Sequence, residues 1–200
     1  MARPSTHDRQ DSVARALELF WSQGYHATSL KDIEGALDMR PGSIYAAFDS
    51  KQGLFQAAQE AYADSDGAAF RAALAAEDTV IDGLIAYVRG LAAPGRPLRG
   101  CYVIRSLLEF SGKDRQSRAR SETLLAEVEQ RLAPAFRAAR DRREIDPAAD
   151  PARLARRMQS DLIAARVLAE RDEGAARLRE RGEEIVAWLD GLRQGGPQAG

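Results

Sequence analysis

At 200 residues, 44% hydrophobic and 30% charged, the chain is long enough for one or two domains and apolar enough to bury a core. That composition excludes wholesale disorder. Its longest uncharged stretch, 19–30, contains Ser, Gln, Gly, His and Thr, which excludes a spanning helix. The 29 Lys and Arg against 30 Asp and Glu leave a net charge of −1, so bulk charge favours neither nucleic acid nor membrane as a partner.

Ala, Arg, Glu and Leu dominate, all good helix formers. No run of alternating β-branched residues suggests a strand, so the predicted fold class is all-α. Residues 1–6 read as a flexible arm. From Asp8 to Gln23, Val13, Leu17 and Phe20 recur at helical spacing, and Gly24 ends the helix. Ser29 and Asp32 resemble a capping box for a short helix through Leu37. Asp38 sits at the turn, where a left-handed residue is needed. Pro41 suits the first turn of the next helix, on which Ile44 and Phe48 share a buried face. Asp49-Ser50 ends it, and another helix begins at Lys51.

Longer helices are predicted over about 77–92, 99–111, 114–141, Asp146-Pro147 to about 172, and 175–193. The breaker Pro94-Gly95-Arg96-Pro97 separates the first two, and residues 195–200 read as a frayed tail. The expected organisation is two domains, one of three short helices with the arm over 1–52 and one of longer helices over 53–194, followed by the tail. The helix from Lys51 would touch both domains.

Two short helices joined by a tight turn, with a longer helix in front, form a helix-turn-helix. The second is too short to be stable alone. Leu17, Phe20, Ile33, Leu37, Ile44 and Phe48 would hold it from behind. Gly42, Ser43 and Ala46 leave room for close approach to base edges, and Arg40 and Tyr45 project polar groups.

The order and spacing of Ala16-Leu17-Glu18-Leu19-Phe20, Gly24-Tyr25-His26-Ala27-Thr28-Ser29-Leu30, Ile33, Gly42-Ser43-Ile44-Tyr45, Phe48, Ser50-Lys51 and Leu54-Phe55 resemble the TetR family of bacterial transcriptional regulators. The resemblance covers roughly residues 8–62. It implies a DNA-binding domain over 1–52, a ligand-binding and dimerisation domain over 53–194, and a homodimeric repressor that binds a pseudo-palindromic double-stranded operator and is released by a small-molecule effector. Carried over, it implies that Thr28 bonds a phosphate, that Arg40, Gly42 and Ser43 face the major groove, and that Tyr45 meets backbone or base. Lys51 would pair with a phosphate, and Arg3 would reach the backbone or minor groove. Asp38, Arg40 and Ala46 depart from the family's usual residues. Residues 1–51 carry six cations and seven anions, which is not the usual basic footprint of a DNA binder. A second reading is therefore a helical dimer acting mainly through protein partners, with a decayed DNA-binding domain.

Further along, Tyr62, Phe70, Tyr87, Tyr102, Phe110 and Phe136 either line an effector pocket or form core. Arg105 either binds an anionic ligand or pairs with Glu109, four residues on. Leu154, Met158, Leu162 and Ala165, with Leu178, Ile185, Trp188, Leu189 and Leu192, are expected at a dimeric four-helix interface; the alternative is intramolecular core. Cys101 is either a thiol sensor, activated by Arg99 and Arg105 at a helix start, or a packing residue. A lone cysteine forms no internal disulfide and fits a reducing cytoplasm. Only His7 and His26 occur. With no phosphate-binding glycine loop, zinc-protease motif or paired cysteines, no enzymatic activity, metal or cofactor is expected.

Overall fold

The structure, a computed structural model, describes residues 6–93, 100–110, 115–170 and 173–193. Among these lie nine α-helices: α1 (Thr6–Gln23), α2 (Leu30–Leu37), α3 (Pro41–Phe48), α4 (Lys51–Ala76), α5 (Val80–Leu91), α6 (Tyr102–Glu109), α7 (Arg115–Asp141), α8 (Pro151–Leu168) and α9 (Gly174–Asp190). The strand-like pairing among the described residues is one isolated antiparallel bridge, Ile145 to Arg193. Arg3, Arg99, the Pro94–Pro97 breaker and the tail lie outside the described residues.

Packing divides the chain into two units, and the division differs from the expected cut at residue 52. The first comprises the chain through Asp66 together with Tyr102–Leu124; the second comprises Gly67–Cys101 and the chain from Leu125. The reason is chemical. The apolar faces of α4 and α6 extend the core behind the helix-turn-helix, so Leu54, Phe55, Ala58, Tyr102 and Phe110 are buried with Phe20, Ile33, Ile44 and Phe48.

Local chemistry sets the ends of the short helices. Gly24, at φ +86°, ends α1, its N–H bonding the Phe20 carbonyl at 2.8 Å. At α2 the capping box is complete: the Ser29 hydroxyl accepts the Asp32 N–H, and the Asp32 carboxylate accepts the Ser29 N–H at 2.7 Å. Asp38 closes α2 at φ 52°, a left-handed conformation that Asp tolerates better than most residues. Pro41 opens α3, and Asp49 at φ 63° ends it. Gly53 permits the next turn, because a Cβ there would lie 2.1 Å from the Phe48 carbonyl oxygen.

In the second unit, α5, α8, α9 and the later part of α7 share one apolar core. The Thr79 hydroxyl caps α5. The Glu144 carboxylate accepts the N–H groups of Val80 and Ile81 at 3.1 and 3.0 Å, which satisfies further donors at that end. The start of α8 differs from the prediction. Asp146 accepts the Ala148 N–H in a turn, and the helix begins at Pro151, where Asp150 accepts the Ala152 N–H at 3.0 Å. Two Asp-Pro steps lie four residues apart, and the second carries the cap.

Candidate nucleic-acid interface

An eight-residue helix is marginal in isolation, so α3 depends on what lies behind it. Ile44 and Phe48 are 1% and 4% exposed within the first unit's core. Burying a side chain of that kind contributes roughly 1.5–3 kcal/mol relative to exposure. Arg9 adds a clamp: its guanidinium bonds the Ala47 carbonyl and lies 4.5 Å from the centre of the Phe48 ring. Sequence reasoning passed over Arg9; its position on α1, outside the apolar stripe, gave no sign of this role.

With its back fixed, α3 turns Gly42, Ser43, Tyr45 and Ala46 to solvent, and Tyr45 is 46% exposed. A Cβ at Gly42 would have nothing within 4 Å, so the backbone there is open to close approach. Arg40, at the N-cap position, is exposed and makes no side-chain capping bond. The exposed residues of this face are thus Arg40, Gly42, Ser43 and Tyr45. Its anions are partly engaged. Asp11 pairs with Arg15 at 2.8 Å, and the Ser29 hydroxyl and N–H hold the Asp32 carboxyl below the usual range.

Thr28 is a correction. It is 2% exposed, and its hydroxyl donates to the Gly24 carbonyl at 2.6 Å. It fastens the turn between α1 and α2 instead of facing a phosphate, and Ser29 is the exposed hydroxyl at that helix start. Lys51 is half-buried, its ammonium bonded to the Thr28 carbonyl and lying 4.3 Å from the centre of the Tyr25 ring. Burial pushes its pKa down, and Glu109 and Asp32 oppose that shift. The ammonium has three donors and lies beside the start of α2.

The six aromatic residues named for a pocket fall into two separate cores. Tyr62, Tyr102 and Phe110 belong to an aromatic cluster of the first unit. Trp21 meets Tyr62 edge-on at 5.1 Å, and Phe55 lies 5.6 Å from Tyr102 and 5.2 Å from Phe110. Phe70, Tyr87 and Phe136 are buried in the second unit, with Phe70 edge-on to Tyr87 at 5.2 Å. Arg105 and Glu109 bond other partners. Arg105 donates to the Trp21 carbonyl at 2.7 Å, while Glu109 accepts the His26 N–H at 2.9 Å. Both tie α6 to the end of α1.

Cys101 is 7% exposed, and the Arg166 guanidinium lies beside its sulfur at 3.9 Å. Arg166 also donates to the Tyr87 hydroxyl at 3.3 Å. A partner 65 residues away leaves no local signal in the sequence.

The expected interface residues are corrected as well. Leu154, Met158, Leu162, Ala165, Leu178, Ile185 and Leu189 are all under 9% exposed within this one chain, and Trp188 and Leu192 pack against the same core. Intramolecular packing uses that apolar stripe. The solvent side of α8 instead presents Arg153, Arg157, Ser160, Ala164 and Val167. Across it, Arg157 lies 4.4 Å from the centre of the Trp188 ring, and Asp161 bonds Arg181, which also bonds Glu184.

Comparison with known proteins agrees with this architecture. No helix among the described residues is long and apolar enough to cross a membrane. A repressor from Escherichia coli, the HTH-type transcriptional repressor ComR, is 33% identical over 114 residues, 54% of each chain. The regulator YezE from Bacillus subtilis, uncharacterised and also HTH-type, is 31% identical over 112 residues. The chain spans about half the length of the curated relatives it matches. Among solved structures, a TetR transcriptional regulator from Chloroflexus aurantiacus is 26% identical with a TM-score of 0.79, covering 92% of this chain and 94% of that one. The regulator CifR, solved as a cysteine mutant complexed with 26-base-pair operator DNA, is 28% identical with a TM-score of 0.70, covering 93% of this chain and 100% of that one. Residues 13–58 match the bacterial regulatory proteins of the tetR family, and residues 73–181 match the tetracyclin repressor-like C-terminal domain. On these two matches, which together cover most of the chain, the protein belongs to the TetR family of bacterial regulators.

Proposed function

We propose that the chain is a homodimeric transcriptional repressor. Two copies of α3 enter successive major grooves of a pseudo-palindromic operator, and a small molecule bound in the helices beyond the helix-turn-helix releases the DNA. The exposed face of α3 carries the reading: Gly42, Ser43 and Tyr45 stand open above the buried Ile44 and Phe48. Arg40 and Ser43 offer donors to base edges, and Tyr45 a hydroxyl to base or backbone. Lys51, beside the start of α2, fits a phosphate drawn to the positive end of that helix. Phosphate contacts set register and base contacts set sequence. Release requires an effector with higher affinity for a conformation whose recognition helices are wrongly spaced.

The test is a mobility-shift titration with the DNA upstream of the protein's own gene, with competitor DNA, at two salt concentrations. Selection from random DNA runs in parallel. A palindromic sequence should be enriched, and Tyr45→Ala should weaken its complex roughly 10- to 100-fold. A chain that enriches no sequence from the random pool is not an operator-binding repressor.

A further inference from the structure

Among the buried polar atoms of the first unit with no hydrogen-bond partner among the described residues are the Tyr102 hydroxyl and the Gln59 Oε1. The two side chains are 1% and 0% exposed. They are neighbours. Phe55, Gln59 and Tyr62 follow one another at i, i+4 and i+7 on α4, which places them on one face. The Tyr102 ring packs on both flanking aromatics, 5.6 Å from Phe55 and 5.9 Å from Tyr62. Trp21 closes the other side, 5.6 Å from Tyr102 and 5.1 Å from Tyr62. Of the other polar groups nearby, Gln59 Nε2 donates to the Ser121 hydroxyl at 3.0 Å, and Ser106 and Ser121 bond the carbonyls four residues before them. Buried polar atoms are ordinarily paired, so an unmet donor and an unmet acceptor on two residues of one packed cluster point to a missing partner.

We propose that Tyr102 and Gln59 form the polar end of a binding site for a small uncharged aromatic molecule, one whose hydroxyl or amide accepts from the Tyr102 O–H and donates to Gln59 Oε1. The rings of Trp21, Phe55 and Tyr62 supply flat walls, and of these Trp21 and Tyr62 are half-buried. The charge of the ligand follows from its surroundings. Burial and the Glu109 carboxylate both push the Tyr102 hydroxyl well above its ordinary pKa, so the phenol stays a donor and the local potential disfavours an anion. The nearby cations are occupied: Arg105 by the Trp21 carbonyl and Arg120 by Glu60 at 3.5 Å. Phe55 also packs on Phe20 at 5.2 Å, inside the core that holds Ile44 and Phe48. A molecule that spreads the Trp21–Phe55–Tyr62 walls therefore acts on the packing that holds α3. This deepens the effector reading above and rests on it for its consequence, but the binding itself is measured without DNA. Failure here leaves operator recognition standing, and failure there leaves binding intact.

The probes are benzamide, phenol and benzyl alcohol, with benzoate and toluene as anionic and apolar controls, added at millimolar concentration to the full chain carrying Trp188→Phe. Trp21 is then the sole tryptophan. At least one neutral polar probe should change Trp21 fluorescence saturably and raise the melting temperature, with both controls at least about tenfold weaker. Tyr102→Phe should melt about 2–4 °C higher without ligand, because an unmet hydroxyl is gone, and should weaken the probe about tenfold or more. Gln59→Leu should weaken it comparably. Binding by none of the three neutral probes overturns the proposal. So does equal binding to Tyr102→Phe, or a lower melting temperature for that variant, which is the pattern of a hydroxyl bonded to structural water.

Discussion

The Glu109 carboxylate accepts the backbone N–H of His26 at 2.9 Å, reaching from the end of α6 to the turn that joins α1 and α2. The same oxygen lies 2.8 Å from where a Cβ at Gly24 would stand. Gly24 is also held at φ +86°, where an L side chain is strained. One glycine therefore serves both the end of α1 and the approach of α6. Gly24→Ala is expected to destabilise the protein by about 1–2 kcal/mol from the backbone conformation alone. Displacing Glu109 from His26 adds to that loss. Denaturant unfolding checks the prediction, and an unchanged midpoint would refute it.

Thr28 supplies a cleaner separation of structure from DNA contact. Its buried hydroxyl bonds the Gly24 carbonyl at 2.6 Å. Thr28→Val keeps the shape and removes the donor, so a loss of about 1–3 kcal/mol is expected, largely restored by Thr28→Ser. Operator affinity, measured well below the melting temperature, should stay within about twofold because the side chain faces inward. Reduced affinity at full stability would return Thr28 to the DNA interface.

These cases show what the sequence made legible. Caps and turns of the helix-turn-helix are local devices, and Ser29, Asp32, Asp38, Pro41 and Asp49 act within a few residues of themselves. They could be read directly, and so could the exposed face of α3, because Ile44 and Phe48 fix which side is buried. Partners distant in sequence could not be read. Glu109 finds His26, Arg166 finds Cys101 and Glu144 caps α5 only once the helices are folded. The apolar stripes of α8 and α9 were visible, but periodicity names a buried face and not what buries it. The chain's own core covers Met158 and Leu189 completely.

Acid should weaken the second unit through Asp82. The Thr79 hydroxyl, then the Arg193 guanidinium, holds this carboxyl below its ordinary value of 3.8. A carboxyl with a lowered folded-state pKa stabilises the fold fully above its unfolded value, and that stabilisation disappears as pH falls through the lower folded value. The side chain is 41% exposed, so solvent screening keeps the effect small. Asp82→Asn should melt below the parent near neutral pH, and the gap should close as the pH falls through the lowered pKa of the carboxyl. A gap that persists unchanged through the acid range would assign the loss to packing and not to charge.

A dimer that pairs through the solvent side of α8 would cover Val167. Val167 is 49% exposed and belongs to neither core, with Ala164 exposed one turn before it. In an isologous interface each substitution occurs twice, so Val167→Asp would bury two unpaired carboxylates. Light scattering should then report the single-chain mass of 21.9 kDa instead of twice that value, and operator binding should fall with it. Because Val167 supports no core, the variant should keep its helical content. Met158→Asp, by contrast, places the charge at a fully buried position and should unfold the second unit. If Val167→Asp remains dimeric and fully active, pairing does not use this face of α8.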